Sequence, residues 1–140
     1  MLLIAVATAA ILLALSVLHL VWALRVWWPI RDEMQLARAV AGFPGISQMP
    51  PPLACFFVAG ALGVLAVSAM ADVFAPAPPM LAWLATAGGA LVFLARGAVG
   101  FTPYWARATP EEPFRTLDRR YYSPLCLGLG ALQALLVFSA

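Results

Sequence analysis

The chain has 140 residues, 64% of them hydrophobic and 10% charged, with a formal net charge of +2 and a mean hydropathy of +0.95. A soluble domain carries roughly 25% charged residues, so this composition excludes a water-soluble globular protein and points to an integral membrane protein. No nucleic-acid partner is expected.

Leu2 to Leu24 contains no charge and is close to the roughly 20 residues that cross a 30 Å hydrocarbon core. It lacks a basic leader, its apolar run is longer than that of a signal peptide, and "HLVWALRVWW" is a poor cleavage context. It therefore reads as a first span. "PIRDEMQLARAVAG" follows and predicts a short helix on the membrane surface. Pro29 suits its first turn, Asp32 and Glu33 its positive end, and Gly42 its stop. Ile30, Met34, Ala37 and Ala41 recur at helical spacing and form its apolar face. "GFPGISQMPPP" is a turn-rich entry to a second uncharged span, Leu53 to Ala71. Residues 76–79 are Pro-rich and predict a tight turn. A third span, Met80 to Phe101, contains Arg96 as its one charge. The fourth is expected to begin at Ser123, a good N-cap, with Pro124 in the first turn, and to run to Ala140. Backbone groups in lipid must be paired within a segment, so all four are helices; barrel strands would alternate over shorter stretches. The expected fold is all-α, a single four-helix membrane bundle over 1–140. Its spans are 2–24, 53–71, 80–101 and 123–140, with a short interfacial helix between the first and second.

The chain has eight arginines and no lysine. Arg25, Arg31 and Arg38 follow the first span. Arg96, Arg107, Arg115, Arg119 and Arg120 surround the junction of the third and fourth. The second-to-third connection and both termini have none. The positive-inside rule then puts both termini and the Pro-rich turn outside, in a multi-pass protein of the bacterial inner membrane. Trp22, Trp27, Trp28, Tyr104, Trp105, Tyr121 and Tyr122 form an inner aromatic belt, with Trp83 at the outer edge. Small residues recur within the spans (Ala59 and Gly63, Ala85 and Gly89, Gly97 and Gly100, Gly128 and Gly130) and predict close helix packing.

At about 1.5 Å per residue, His19 and Arg96 each lie roughly 25 Å from the outer start of their helices. Cys55 and Cys126 sit within a turn of the inner ends of theirs. Four helices thus bring a polar residue to one depth. An anionic headgroup is expected there, held by Arg96, Arg119, Arg120 and Ser123, because arginines and helix N-termini both suit phosphate or carboxylate. Asp118 is expected to hold an arginine rather than act as an acid, and Trp22 to support the site.

"HLVWAL", "ARGAVGF" and "LDRRYYSPLCLGLG" resemble the DUF3995 family of small bacterial four-helix membrane proteins, over nearly the whole chain. The resemblance implies the fold. It directs attention to His19, Trp22, Arg96, Asp118, Tyr122, Ser123, Pro124 and Cys126, and implies no activity, since the family name records an unknown function.

The leading functional expectation is a non-catalytic protein that binds membrane lipids or serves as an accessory subunit of a larger inner-membrane complex or homo-oligomer. The alternative is an intramembrane enzyme or cofactor binder acting on a quinone- or isoprenoid-like molecule. His19, Tyr122 and Cys126 are its catalytic candidates. No span contains a carboxylate, which argues against a proton-coupled transporter. His19, Cys55 and Cys126 lack metal-motif spacing, so no metal site is predicted. No cofactor is predicted either. A single histidine cannot supply both axial haem ligands in a monomer, which leaves only a five-coordinate or shared haem. Both cysteines lie on the reducing side, so no disulfide is expected.

Overall fold

The computed structural model describes residues 1–75 and 79–139, and Asp72 in its backbone only. The Pro-rich turn expected at 76–79 lies, but for Pro79, outside the described residues. All regular structure among them is helical: α1 (Leu2–Ala23), α2 (Glu33–Val40), α3 (Pro52–Phe74), α4 (Met80–Val99), α5 (Pro103–Ala108), α6 (Phe114–Leu117), and α7 (Ser123–Ser139). A π-helical turn, Asp118–Tyr122, joins α6 to α7.

Among the described residues four helices are long and apolar enough to cross a membrane: Leu2–Ala23, Pro52–Ala71, Met80–Val99 and the continuous Phe114–Ser139, with mean hydropathies of 2.5, 2.3, 1.5 and 1.5. Their outer faces expose large apolar side chains such as Leu3, Phe57, Leu81, Leu91 and Phe138. Water would penalise such a surface, whereas lipid matches it.

The helices pair as two antiparallel hairpins. α1 packs chiefly on α3, and α4 on α7, with α3 against α4 joining the pairs. In the first hairpin Ala5 and Ala69, Leu12 and Leu62, and Trp22 and Cys55 fall in three successive apolar clusters. Ser16 Oγ donates across it to Ala59 O at 2.7 Å. The second closes more tightly. A Cβ on Gly97 would sit 2.8 Å from Leu127 N, and one on Gly130 would sit 2.9 Å from Leu94 N. Only glycine permits that approach, as expected where helices associate in lipid by packing. Antiparallel register puts both chain ends at one end of the bundle. Segments 24–51 and 100–122, which hold all the arginines except Arg96, lie at the other.

The elements differ from the sequence reading in three places. Pro29 precedes α2 rather than opening it. The cap is Asp32, whose Oδ1 accepts from Gln35 N at 2.8 Å. The buried face of α2 is Leu36, Ala37 and Ala39, while Met34 is exposed; tertiary packing under Trp22, Met49 and Cys55 decides this. The fourth long helix begins at Phe114, so Ser123 lies inside it and caps nothing. Pro124 has no N–H and would collide with the carbonyl four residues back. The preceding turn widens instead, and Ser123 N–H bonds to Asp118 O, five residues back. A π-bulge is a known way to carry such an irregularity without ending a helix.

Candidate functional site: a buried carboxylate beneath an arginine-lined cleft

Asp118 is 2% exposed. A bare carboxylate there would be costly, but every oxygen is engaged. Oδ1 accepts from Arg96 Nη2 in an ion pair. Oδ2 accepts from Trp105 Nε1 at 3.0 Å and from Ser123 Oγ at 3.1 Å. Arg96 Nη1 also donates to Ser123 Oγ at 3.4 Å, and its guanidinium lies 4.7 Å from the Trp105 ring centroid. Local sequence places these groups. The π turn swings Asp118 and Ser123 to one side. Thr102 caps α5 by accepting from Trp105 N at 3.2 Å, which fixes the indole. Gly100 leaves room for Ser123, since a Cβ there would overlap the hydroxyl.

This network floors a cleft of about 690 Å³ between α5 and the 110–119 segment. Arg107, Arg115 and Arg119 line it with Trp105 and Asp118. The described residues form three ion pairs, Arg25–Glu33, Arg38–Glu111 and Arg96–Asp118, so among them the cleft's three arginines have no carboxylate within ion-pairing distance. A shallower depression of about 320 Å³ shares Arg115 and Arg119 and adds Arg120. Arg120 itself lies over the Tyr121 ring, 5.4 Å from its centroid.

A second set of contacts ties segment 32–49 to 110–122. Arg38 Nη2 donates to Glu111 Oε2 at 2.7 Å, and Gly45 N donates to Glu111 Oε1 at 3.3 Å. Glu111 N donates to Gly42 O at 3.2 Å. The Arg38 bonds, then the Gly45 N–H, hold the Glu111 carboxyl below the ordinary carboxylate range. Tyr122 Oη donates to Ala39 O at 3.0 Å. Gly42 adopts φ +68 with Phe114 packed where a Cβ would stand.

The expected site residues therefore separate. Arg96, Asp118 and Ser123 come together, but Arg96 and Ser123 are committed to Asp118. Arg119 faces the cleft, and Arg120 its neighbour. Cys126 is half-buried on α7. Tyr122 is tied to α2. His19 and Trp22 lie in the other hairpin, their rings 5.0 Å apart edge to face, lining a small cavity with Cys55. No cluster of three His, Cys, Asp or Glu suited to a metal occurs among the described residues. Sequence reading missed Trp105 as a ligand of Asp118, and Arg107 and Arg115 as walls of the cleft. The Thr-Pro start of α5 was the available signal for Trp105 and Arg107; Arg115 lies on α6 and had none. It also missed Gln133, fully buried on α7 with neither amide atom partnered among the described residues.

Four long apolar helices with polar chemistry gathered at one end define a small multi-pass helical membrane protein. The family model described as "Protein of unknown function (DUF3995)" matches residues 12–133, and the chain belongs to this family. No curated protein and no solved structure matches the chain.

Proposed function

We propose that this is a non-catalytic membrane protein that binds the phosphate of anionic lipids in the Arg107–Arg115–Arg119 cleft. In this reading both termini face outward and the cleft opens at the cytoplasmic face of the inner membrane. The supporting observation is three arginines lining one cleft, none of them in an ion pair among the described residues. Guanidinium forks match phosphate oxygens. The one carboxylate in the cleft does not oppose an anion, because Arg96 compensates its charge and its oxygens are filled. Exposed Trp28, Tyr104 and Tyr121 around the same end suit a headgroup layer.

The test is lipid retention by native mass spectrometry from nanodiscs of phosphatidylcholine with phosphatidylglycerol. Each arginine near a surface adds about 1 kcal/mol to anionic-lipid attraction, so Arg119→Gln weakens phosphatidylglycerol retention about fivefold. Arg107→Gln behaves alike. Raised salt weakens wild-type retention. Equal retention of both lipids by wild type and Arg119→Gln overturns the proposal.

A further inference from the structure

At the same end of the bundle, but in the other hairpin, α1, α2 and α3 form a half-open pocket of about 150 Å³. Its wall includes His19, Trp22, Val40, Met49, Cys55 and Val58. We propose that this cavity binds a single hydroxylated aromatic ring, a phenol or quinol head, whose hydroxyl donates to His19 Nε2.

Size comes first. Pockets for drug-sized ligands span roughly 300–1,000 Å³, whereas an apolar cavity of roughly 150 Å³ takes one benzene ring. The base of the pocket therefore takes one ring, and anything larger extends through its open side. Polarity comes next. The wall is apolar and sulfur-bearing apart from the imidazole and the indole. Trp22 Nε1 already donates to Trp28 O at 2.8 Å, so the indole offers the cavity only hydrocarbon. His19 Nδ1 lies 2.8 Å from Leu15 O. A carbonyl oxygen has no proton to give, so Nδ1 carries the hydrogen, and in the neutral ring Nε2 is an acceptor. It is the one side-chain nitrogen or oxygen of the lining residues with no partner among the described residues. The site thus asks for a ring with a donor, not a carbonyl or an anion. Access comes last. Ala54 and Val58 line the cavity and are also exposed on the outer face of α3, so a lipid tail on the ring has a lateral exit.

Met49 and Cys55 with His19 make a soft donor set, and a monovalent soft cation is the competing occupant. No hydrogen bond links the three, and the test below separates the two occupants.

The test uses the full chain in nanodiscs with its single histidine labelled with ¹⁵N. Hydroquinone shifts the Nε2 resonance saturably. 1,4-Dimethoxybenzene has the same ring without a donor and binds about tenfold more weakly in equilibrium dialysis, the factor for a hydrogen bond of about 1.4 kcal/mol. His19→Phe removes that discrimination, and His19→Gln, which restores an acceptor, returns part of it. Ala54→Phe, apolar for apolar at an exposed position, blocks the cavity and abolishes the shift. A long-tailed hydroquinone that binds more tightly than the free ring assigns the ligand to the membrane, and equal binding assigns it to a soluble phenol. No Nε2 response to hydroquinone, equal binding of the dimethyl ether, or a shift that survives Ala54→Phe overturns the proposal. So does an Nε2 response to Ag(I) with none to hydroquinone, which assigns the site to a soft cation.

Discussion

A carboxylate buried beside a guanidinium is expensive to strand. Removing one partner of a fully buried pair typically costs about 3–5 kcal/mol. Arg96 keeps 29% side-chain exposure against 2% for Asp118, so solvent screens part of the loss. Arg96→Gln is expected to destabilise the protein by about 2–3 kcal/mol, read from thermal unfolding in detergent. Asp118→Asn added to Arg96→Gln removes the stranded charge, and the double variant is expected to be more stable than Arg96→Gln alone. A double variant that is no better assigns the loss to packing of Arg96 on Trp105. The sequence shows that Arg96, Asp118 and Ser123 lie near one boundary. It does not show that Trp105 completes the set, because that depends on how α5 folds back.

Among the elements, the π turn and the α2 clamp depend on opposite ends of the length scale. The turn is local. Pro124 forbids one helical bond, and the ring is satisfied when Asp118–Tyr122 widens. A Ser-Pro pair reads equally well as a helix start, which is why the sequence suggests a boundary where the chain continues. The clamp is non-local. Arg38 and Glu111 are far apart in sequence, and no periodicity links them. Glu111 is held below its ordinary carboxylate range by the Arg38 bonds and then the Gly45 N–H. A carboxyl favoured as the anion in the folded state contributes stability above its unfolded range, and that contribution disappears as pH falls through the lowered folded value. Wild type is therefore expected to melt above Glu111→Gln at neutral pH, with the gap closing as the medium becomes strongly acidic. No gap at neutral pH would assign the clamp to the Glu111–Gly42 backbone bond and to Tyr122, which both proteins keep.

For the whole molecule, antiparallel pairing places both chain ends together and the arginine-bearing segments opposite them. Orientation follows if those arginines remain in the cytoplasm. A periplasm-active reporter fused at Ala140 is expected to give signal, and the same reporter inserted between Gly45 and Ile46 is expected to be silent. Activity of a cytoplasm-specific reporter at Ala140 would falsify the orientation, and with it the cytoplasmic placement of the lipid cleft.

That the chain is helical, that it has four apolar segments, and that its cations gather at one end are all legible in the sequence. Each follows from composition and length, which the cost of bare backbone in lipid converts directly into helices. The small residues Gly97 and Gly130 likewise announce close packing, and Leu127 and Leu94 are the neighbours that approach them. Which polar residues meet is a matter of tertiary packing. His19, Arg96 and Cys126 share a level, but two hairpins divide that level. α1 and α3 carry His19 and Cys55 into one cavity, while α4 and the π turn carry Arg96 to Asp118. Position along a helix fixes depth, whereas rotation about its axis and choice of neighbour come from packing. A sequence of nearly uniform apolarity records little of either, because a helix that is apolar all round has no face that names its partner.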